Sequence, residues 1–371
     1  MWLTAAEISD LARGAAFLGT GGGGDPYIGR LVAEQALVRS GGVELLPLEA
    51  LPDDALVIAA GNMGAPTVLV EKLLSGGESV AAVRRLETHL GRKATAIIPC
   101  EAGGINSTLP VLIAAEMGLP VVDADGMGRA FPEMQMETFG VYGVKASPMA
   151  IANEHGETVI VEAHSNHMVE WIARGIAIRM GGQCSIASYV MDGRTARDVS
   201  VPGTMSLCLQ IGRIIREARQ SHRDAFAALI AFFPTTHYRH ARLIFRGKVT
   251  DVNRRTERGF ALAHVRIEGL DEWAGTMELE VQNENLAARV GGQIRAIVPD
   301  LICVLDTPTA EPITTERLRY GQRVTVMAVA VPPIMCTPQA LAVFGPTAFG
   351  MAKPYEPLDS IPISATPAGP I

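Results

Sequence analysis

The chain has 371 residues, 48% of them hydrophobic and 19% charged, with a formal net charge of −7. That length exceeds what one core usually organises, so two domains are expected, and the composition excludes a disordered chain. The acidic balance argues against a nucleic-acid or membrane-surface partner, and no apolar stretch reaches the roughly 20 residues of a membrane helix.

Thr4-Ala5-Ala6-Glu7 reads as a capping box, followed by Ile8, Leu11, Ala15 and Leu18 at helical spacing. Glu7 and Asp10 within this helix argue against a secretory leader. The helix must stop at Gly19, before a run of glycines. Asp25 then serves as N-cap and Pro26 as first-turn residue of a second helix that ends at Gly41-Gly42. Apolar runs at 43–48, 55–60, 94–99 and 120–123 read as strands, with helices at 68–74, 78–90 and 109–117 between them. This alternation predicts an α/β fold whose N-terminal sheet is mostly parallel and flanked by helices. The second half changes character. Helices are expected at 168–180 and 204–219, and strands at 243–250, 261–267, 277–281, 294–305 and 323–331, forming a smaller β-rich domain. The expected division is 1–165, 166–353 and a Pro-rich, poorly packed tail at 354–371. The five cysteines are scattered and odd in number, which fits reduced thiols in a cytoplasmic protein.

In a parallel sheet, ligands bind beyond the carboxyl ends of the strands. Here those ends are 61–64, 100–104 and 123–126, so candidate site residues concentrate there. The glycines Gly21, Gly22, Gly23 and Gly24, with Asp25, either approach a small anionic ligand through backbone amides or simply make a helix–helix turn. Cys100 is either a nucleophile or a buried thiol. Glu101 at the same strand end is costly unless solvated or partnered. Asp123 and Asp125 end the next strand. Arg129 and Glu133 follow four apart, with Glu137 another four on. This density of carboxylates suits a divalent metal or a general acid and base, or else a salt-bridged turn around Arg129. His164 and His167 have the i, i+3 spacing of a zinc pair, so Asp123, Asp125, His164 and His167 are the candidate metal ligands. No cofactor is otherwise implied. Symmetric self-association is expected on general grounds.

The stretches 19–26, 61–66 (Gly-Asn-Met-Gly-Ala-Pro), 101–106 (Glu-Ala-Gly-Gly-Ile-Asn) and 123–133 together resemble the S-methyl thiohydantoin desulfurase family, formerly a domain of unknown function associated with hydantoinase/oxoprolinase proteins. The resemblance implies a hydrolase that replaces a ring methylthio group with water, giving a hydantoin and methanethiol. On that expectation Glu101, Asp123, Asp125 and Glu133 supply acid and base, with Cys100 as a further candidate. Gly21–Gly24, Asp25 and Arg129 anchor the substrate, and Asn62 and Asn106 bond the ring. The alternative is a non-catalytic subunit that binds a cyclic amide for a hydantoinase-like partner.

Overall fold

The computed structural model describes residues 1–64, 68, 72–257 and 260–362. The chain divides into two compact units. One comprises Met1–Leu18 with Gly23–Gly212, and the other Gly19–Gly22 with the chain from Arg213 onward. Among the described residues no helix is long and apolar enough to cross a membrane.

The first unit contains strands β1 (Trp2–Leu3), β2 (Val43–Pro47), β3 (Leu56–Gly64), β4 (Ala96–Pro99), β5 (Val121–Asp125), β6 (Met149–Ala152), β7 (Thr158–Val161), β8 (Gln183–Asp192) and β9 (Val201–Pro202). Their order is β1-β2-β5-β4-β3-β8-β6-β7, with β9 against β5. The pairs β2–β5, β5–β4 and β4–β3 are parallel, in register Leu45↔Val121, Ile97↔Val121 and Val57↔Ala96. This four-stranded centre is what the continuous apolar runs predict: Val57, Ile58, Ile97, Ile98, Val121 and Val122 are wholly buried. The sheet then continues in antiparallel fashion through β8, β6 and β7. Because β8 joins it, the first unit runs past residue 165 to Gly212. Antiparallel pairing with β8 also keeps Gly61–Gly64 in β3, rather than in a loop.

Helices α1 (Ile8–Leu18), α2 (Pro26–Ser40), α3 (Gly77–Leu90) and α4 (Leu109–Met117) occur where the periodicity places them. Of the helix expected at 68–74, residues 69–71 lie outside the described residues, residue 68 is helical and residues 72–74 are not. The capping box forms, with the Thr4 amide donating to Glu7 Oε2 at 3.0 Å. The unit's other helices are α5 (Thr138–Val141), α6 (Asn166–Arg179), α7 (Gly193–Val199) and most of α8 (Thr204–Gln220). Helix α1 crosses α8 backbone to backbone. A Cβ on Gly14 would lie 1.8 Å from the Cys208 carbonyl oxygen, and one on Gly212 1.9 Å from that of Asp10.

The second unit carries α9 (Ala225–Phe232), α10 (Pro338–Phe344) and seven strands: β10 (Ala241–Glu257), β11 (Phe260–Gly269), β12 (Thr276–Gln282), β13 (Glu284–Val290), β14 (Gln293–Ile297), β15 (Leu301–Asp306) and β16 (Arg323–Val329). All pair antiparallel, in the order β14-β13-β12-β11-β10-β16-β15. Alternation drives this sheet: Met277, Leu279 and Val281 of β12 are buried while their neighbours are half-buried. The apolar run at 294–305 is two strands rather than one. Between them Asp300 is wholly buried and accepts from the Val331 amide at 3.0 Å, the Tyr355 hydroxyl at 3.0 Å and the Leu358 amide at 2.9 Å. The expectation of a poorly packed tail is therefore corrected for its first part. Leu358 belongs to the β-sheet core and Ile361 is 3% exposed, because Asp300 gives the Pro-rich segment a polar anchor. Truncating Leu358 to Ala should cost about 2–4 kcal/mol of stability. A denaturant titration showing a loss below about 0.5 kcal/mol, the range of an ordinary surface change, would contradict this packing.

Candidate functional site

The two glycine-rich segments are shaped by close backbone approach. Gly23 O accepts the Ile105 amide at 3.0 Å. A Cβ on Gly104, at φ +54, would lie 2.1 Å from Gly23 O, and one on Gly23, at φ +72, 2.8 Å from the Gly103 carbonyl. Side chains at either position are excluded by sterics and by backbone angle. The preceding glycines meet the same demand within the second unit. A Cβ on Gly22 would lie 2.0 Å from Glu284 Oε1. The Thr20 and Gly21 carbonyls accept the Asn285 and Thr315 amides at 2.9 and 2.7 Å. The Gly22 amide donates to Gly19 O, and the Asp25 carboxylate accepts the Tyr27 amide at 2.9 Å as the N-cap of α2.

Asp125, the last residue of β5, is wholly buried. Its Oδ2 accepts three backbone amides, from Ala102 at 2.6 Å, Met127 at 3.0 Å and Gly128 at 2.8 Å. One carboxylate thereby ties the loop after β4 to the loop after β5. Burial raises its pKa to about 6, against the pull of those three amides. Glu101 stands at the end of β4. Its Oε1 accepts from Asn106 Nδ2 at 2.8 Å, and Asn106 is itself clamped to the Asn62 backbone, whose amide donates to Oδ1 at 2.6 Å and whose carbonyl accepts from Nδ2 at 3.2 Å. Burial lifts the Glu101 pKa to about 8, opposed mainly by the Asn106 hydrogen bond. Glu101 is therefore mostly protonated at neutral pH.

Behind these lies Glu137, which the spacing argument noted but did not place in the site. It is wholly buried, and neither of its carboxyl oxygens has a hydrogen-bonding partner of good geometry among the described residues. Burial first, and then the charges of Glu101, Asp125 and Glu170, push its pKa well up. The Cys100 thiol is pushed up too, by burial and then by Glu137, Glu101 and Asp125. A thiol so placed holds its proton, which is the wrong state for a nucleophile. Arg129 is also wholly buried, with its guanidinium 4.9 Å from the Phe131 ring centre and Nε donating to Ala130 O at 3.0 Å. Its charge lowers the Glu101 pKa somewhat. A sequence signal for Glu137 existed: residues 134–144 hold no other charge, so this carboxyl has an apolar setting on both sides.

The structure thus brings together Cys100, Glu101, Asn62, Asn106, Asp125, Arg129 and Glu137. A gradient of exposure runs across them. Asn62 (9%), Asn106 (7%) and Glu101 (5%) keep a little accessible surface, whereas Asp125, Arg129 and Glu137 have none. The Asn62 Oδ1 and Glu101 Oε2 atoms accept no hydrogen bond from the described residues. Other expected residues lie apart in role. Asp123 is half-buried and accepts the Ser206 amide at 2.8 Å, at the start of α8. Residues 126–133 form no helix, so Arg129 and Glu133 share no helical face, and Glu133 bonds Gln135 instead. His164 precedes Ser165, the N-cap of α6, and His167 lies in the first turn; both are exposed. The i, i+3 pair therefore does not sit on one helix. Among the described residues no group of three or more His, Cys, Asp and Glu side chains is arranged to hold a metal ion. The expected ligand set of Asp123, Asp125, His164 and His167 is thus not assembled.

The model of the S-Me-THD-like N-terminal domain matches residues 6–163, and that of the S-Me-THD-like C-terminal domain matches residues 164–358. No curated protein matches the chain. An X-ray structure of a protein from Chromobacterium violaceum is similar in fold, with a TM-score of 0.81 at 23% identity, covering 97% of this chain and 100% of that one.

A carboxyl whose pKa rises on folding binds its proton more tightly in the folded chain. Its contribution to stability is full below the unfolded value, near 4.5 for Glu101, and is lost as pH rises through about 8. Replacing Glu101 by Gln keeps the Asn106 hydrogen bond and removes the titration. Stability of Glu101→Gln should fall less steeply than wild type across that window, a difference on the order of 1 kcal/mol or more at its alkaline end. Parallel slopes in urea titrations at several pH values would contradict the shift.

Proposed function

The chain belongs to the S-Me-THD-like family, and we propose that it is a hydrolase of a small cyclic amide of the thiohydantoin type, with Glu101 as its acid–base group. The observation that carries this reading is the placement of one carboxyl, Glu101, held by Asn106 at the accessible edge of a buried acidic cluster, where burial raises its pKa to about 8.

The reaction follows from that protonation state. The substrate ring carries a methylthio group on a carbon between two nitrogens, one of them doubly bonded. Glu101 gives its proton to that nitrogen, which makes the carbon electrophilic. Water adds to the carbon and returns a proton to the Glu101 carboxylate. The C–S bond then breaks, its electron pair leaving with sulfur, and sulfur takes the proton of the new hydroxyl. The products are hydantoin and methanethiol, and Glu101 is unchanged. Asn62 Oδ1 is available to accept the other ring N–H. Asn106 holds Glu101 in place. Asp125 positions the two loops, and its charge helps burial to keep the Glu101 proton in place. Arg129 moderates that effect, so its role in this account is toward Glu101 rather than as a substrate anchor.

Purified protein should release methanethiol from an S-methyl thiohydantoin, with kcat/KM falling as pH rises through about 8 because the acid form is lost. Glu101→Gln should lower kcat by about 10²–10⁴ and abolish that alkaline limb. A fully active Glu101→Gln enzyme would remove Glu101 from the chemistry. Wild-type protein inert toward the ring substrate would instead favour a non-catalytic role in ligand binding.

A further inference from the structure

The second unit contains a cavity of 490 Å³ lined by Arg219, His222, Arg223, Asp224, Phe226, Arg246 and the turn Thr307–Ala310. Its volume falls in the range of small-molecule sites. Its chemistry runs against that of the chain, which carries a net charge of −7. Three guanidiniums and an imidazole surround it, against a single lining carboxylate. Asp224 is already engaged, as the N-cap of α9, accepting the Phe226 and Ala227 amides at 2.8 and 3.2 Å. Arg219 is engaged as well, with Glu311. Among the described residues, Arg223 and Arg246 are not paired with acids. Arg223 Nε donates to Ser221 Oγ at 2.9 Å, and Arg246 Nε to Thr325 Oγ1 at 3.3 Å, so each fork is oriented through Nε while its terminal nitrogens keep their donors. The Arg246 guanidinium also lies 5.9 Å from the Phe226 ring centre, which further fixes it. The turn opposite is held by Asp306, which accepts the Thr309 amide at 3.1 Å and its hydroxyl at 2.6 Å.

Two oriented guanidiniums without carboxylate partners among the described residues, in a cavity of this size, match an anion that offers paired oxygens. We propose that this cavity binds a small dianion, either a phosphoryl group or a dicarboxylate, at a site separate in its residues from the Glu101 cluster. Calorimetric titration of the full chain with inorganic phosphate and with succinate, against chloride at matched ionic strength, tests this. Saturable one-to-one binding of either anion is expected, and the stronger of the two identifies the ligand class. Arg223→Ala and Arg246→Ala should each weaken it at least about tenfold. Arg223 lies on an exposed loop, so its variant tests the site without threatening the strand that carries Arg246. Binding no stronger than that of chloride, or binding that both variants leave intact, would overturn the proposal.

Discussion

A single carboxylate oxygen organises the site. Asp125 ends a buried strand of the parallel centre and gathers three backbone amides from two loops. An ionised group in that position is expensive unless its hydrogen bonds are made, and here the polypeptide itself makes them. The result fixes where the loop after β4 leaves the sheet, and hence where Glu101 stands. The Gly23–Gly104 approach serves the same end from the other side, by letting two backbones touch where side chains would hold them apart.

From that constraint follows the electrostatics. Glu101, Asp125 and Glu137 share a dry space with a thiol, and burial makes every group there hold its own proton more tightly, with neighbouring carboxyl charge adding to the effect on Glu101, Glu137 and Cys100. Three backbone amides bring Asp125 closest to its ordinary state. Glu101 has two donors that lower its pKa, the Asn106 side chain and then the Phe131 backbone, and remains further from it. Unequal hydrogen bonding therefore splits otherwise similar carboxyls into different roles.

Much of this was legible in the sequence, and the exceptions have physical reasons. The parallel strands show because burial on both faces demands continuous apolar runs. Strand β8 does not, since Gln183-Cys184-Ser185 and Ser188 are buried polar or small residues that neither alternate nor form an apolar block. The strand-end rule found Glu101 and Asp125. It also selected Asp123, because spacing cannot tell a carboxylate that receives a helix amide from one that binds two loops. Glu137 was noted for its spacing from Arg129 and Glu133 but not placed in the site, because spacing alone does not show that its carboxyl is wholly buried. The Gly19–Gly24 run was legible as a backbone constraint. The partners of its residues 20–22, Glu284, Asn285 and Thr315, lie more than two hundred residues away in sequence, and no local pattern reveals them.

The central claim is that Glu101 carries a proton at neutral pH. Infrared spectroscopy of the isolated protein, titrated from acid to mildly alkaline pH, reads it directly through the carbonyl stretch of protonated carboxyl groups. The account predicts a protonated-carboxyl band that persists at neutral pH and has a component titrating near pH 8, missing in Glu101→Gln. A wild-type spectrum at neutral pH from which Glu101→Gln subtracts only an ionised carboxylate would contradict it.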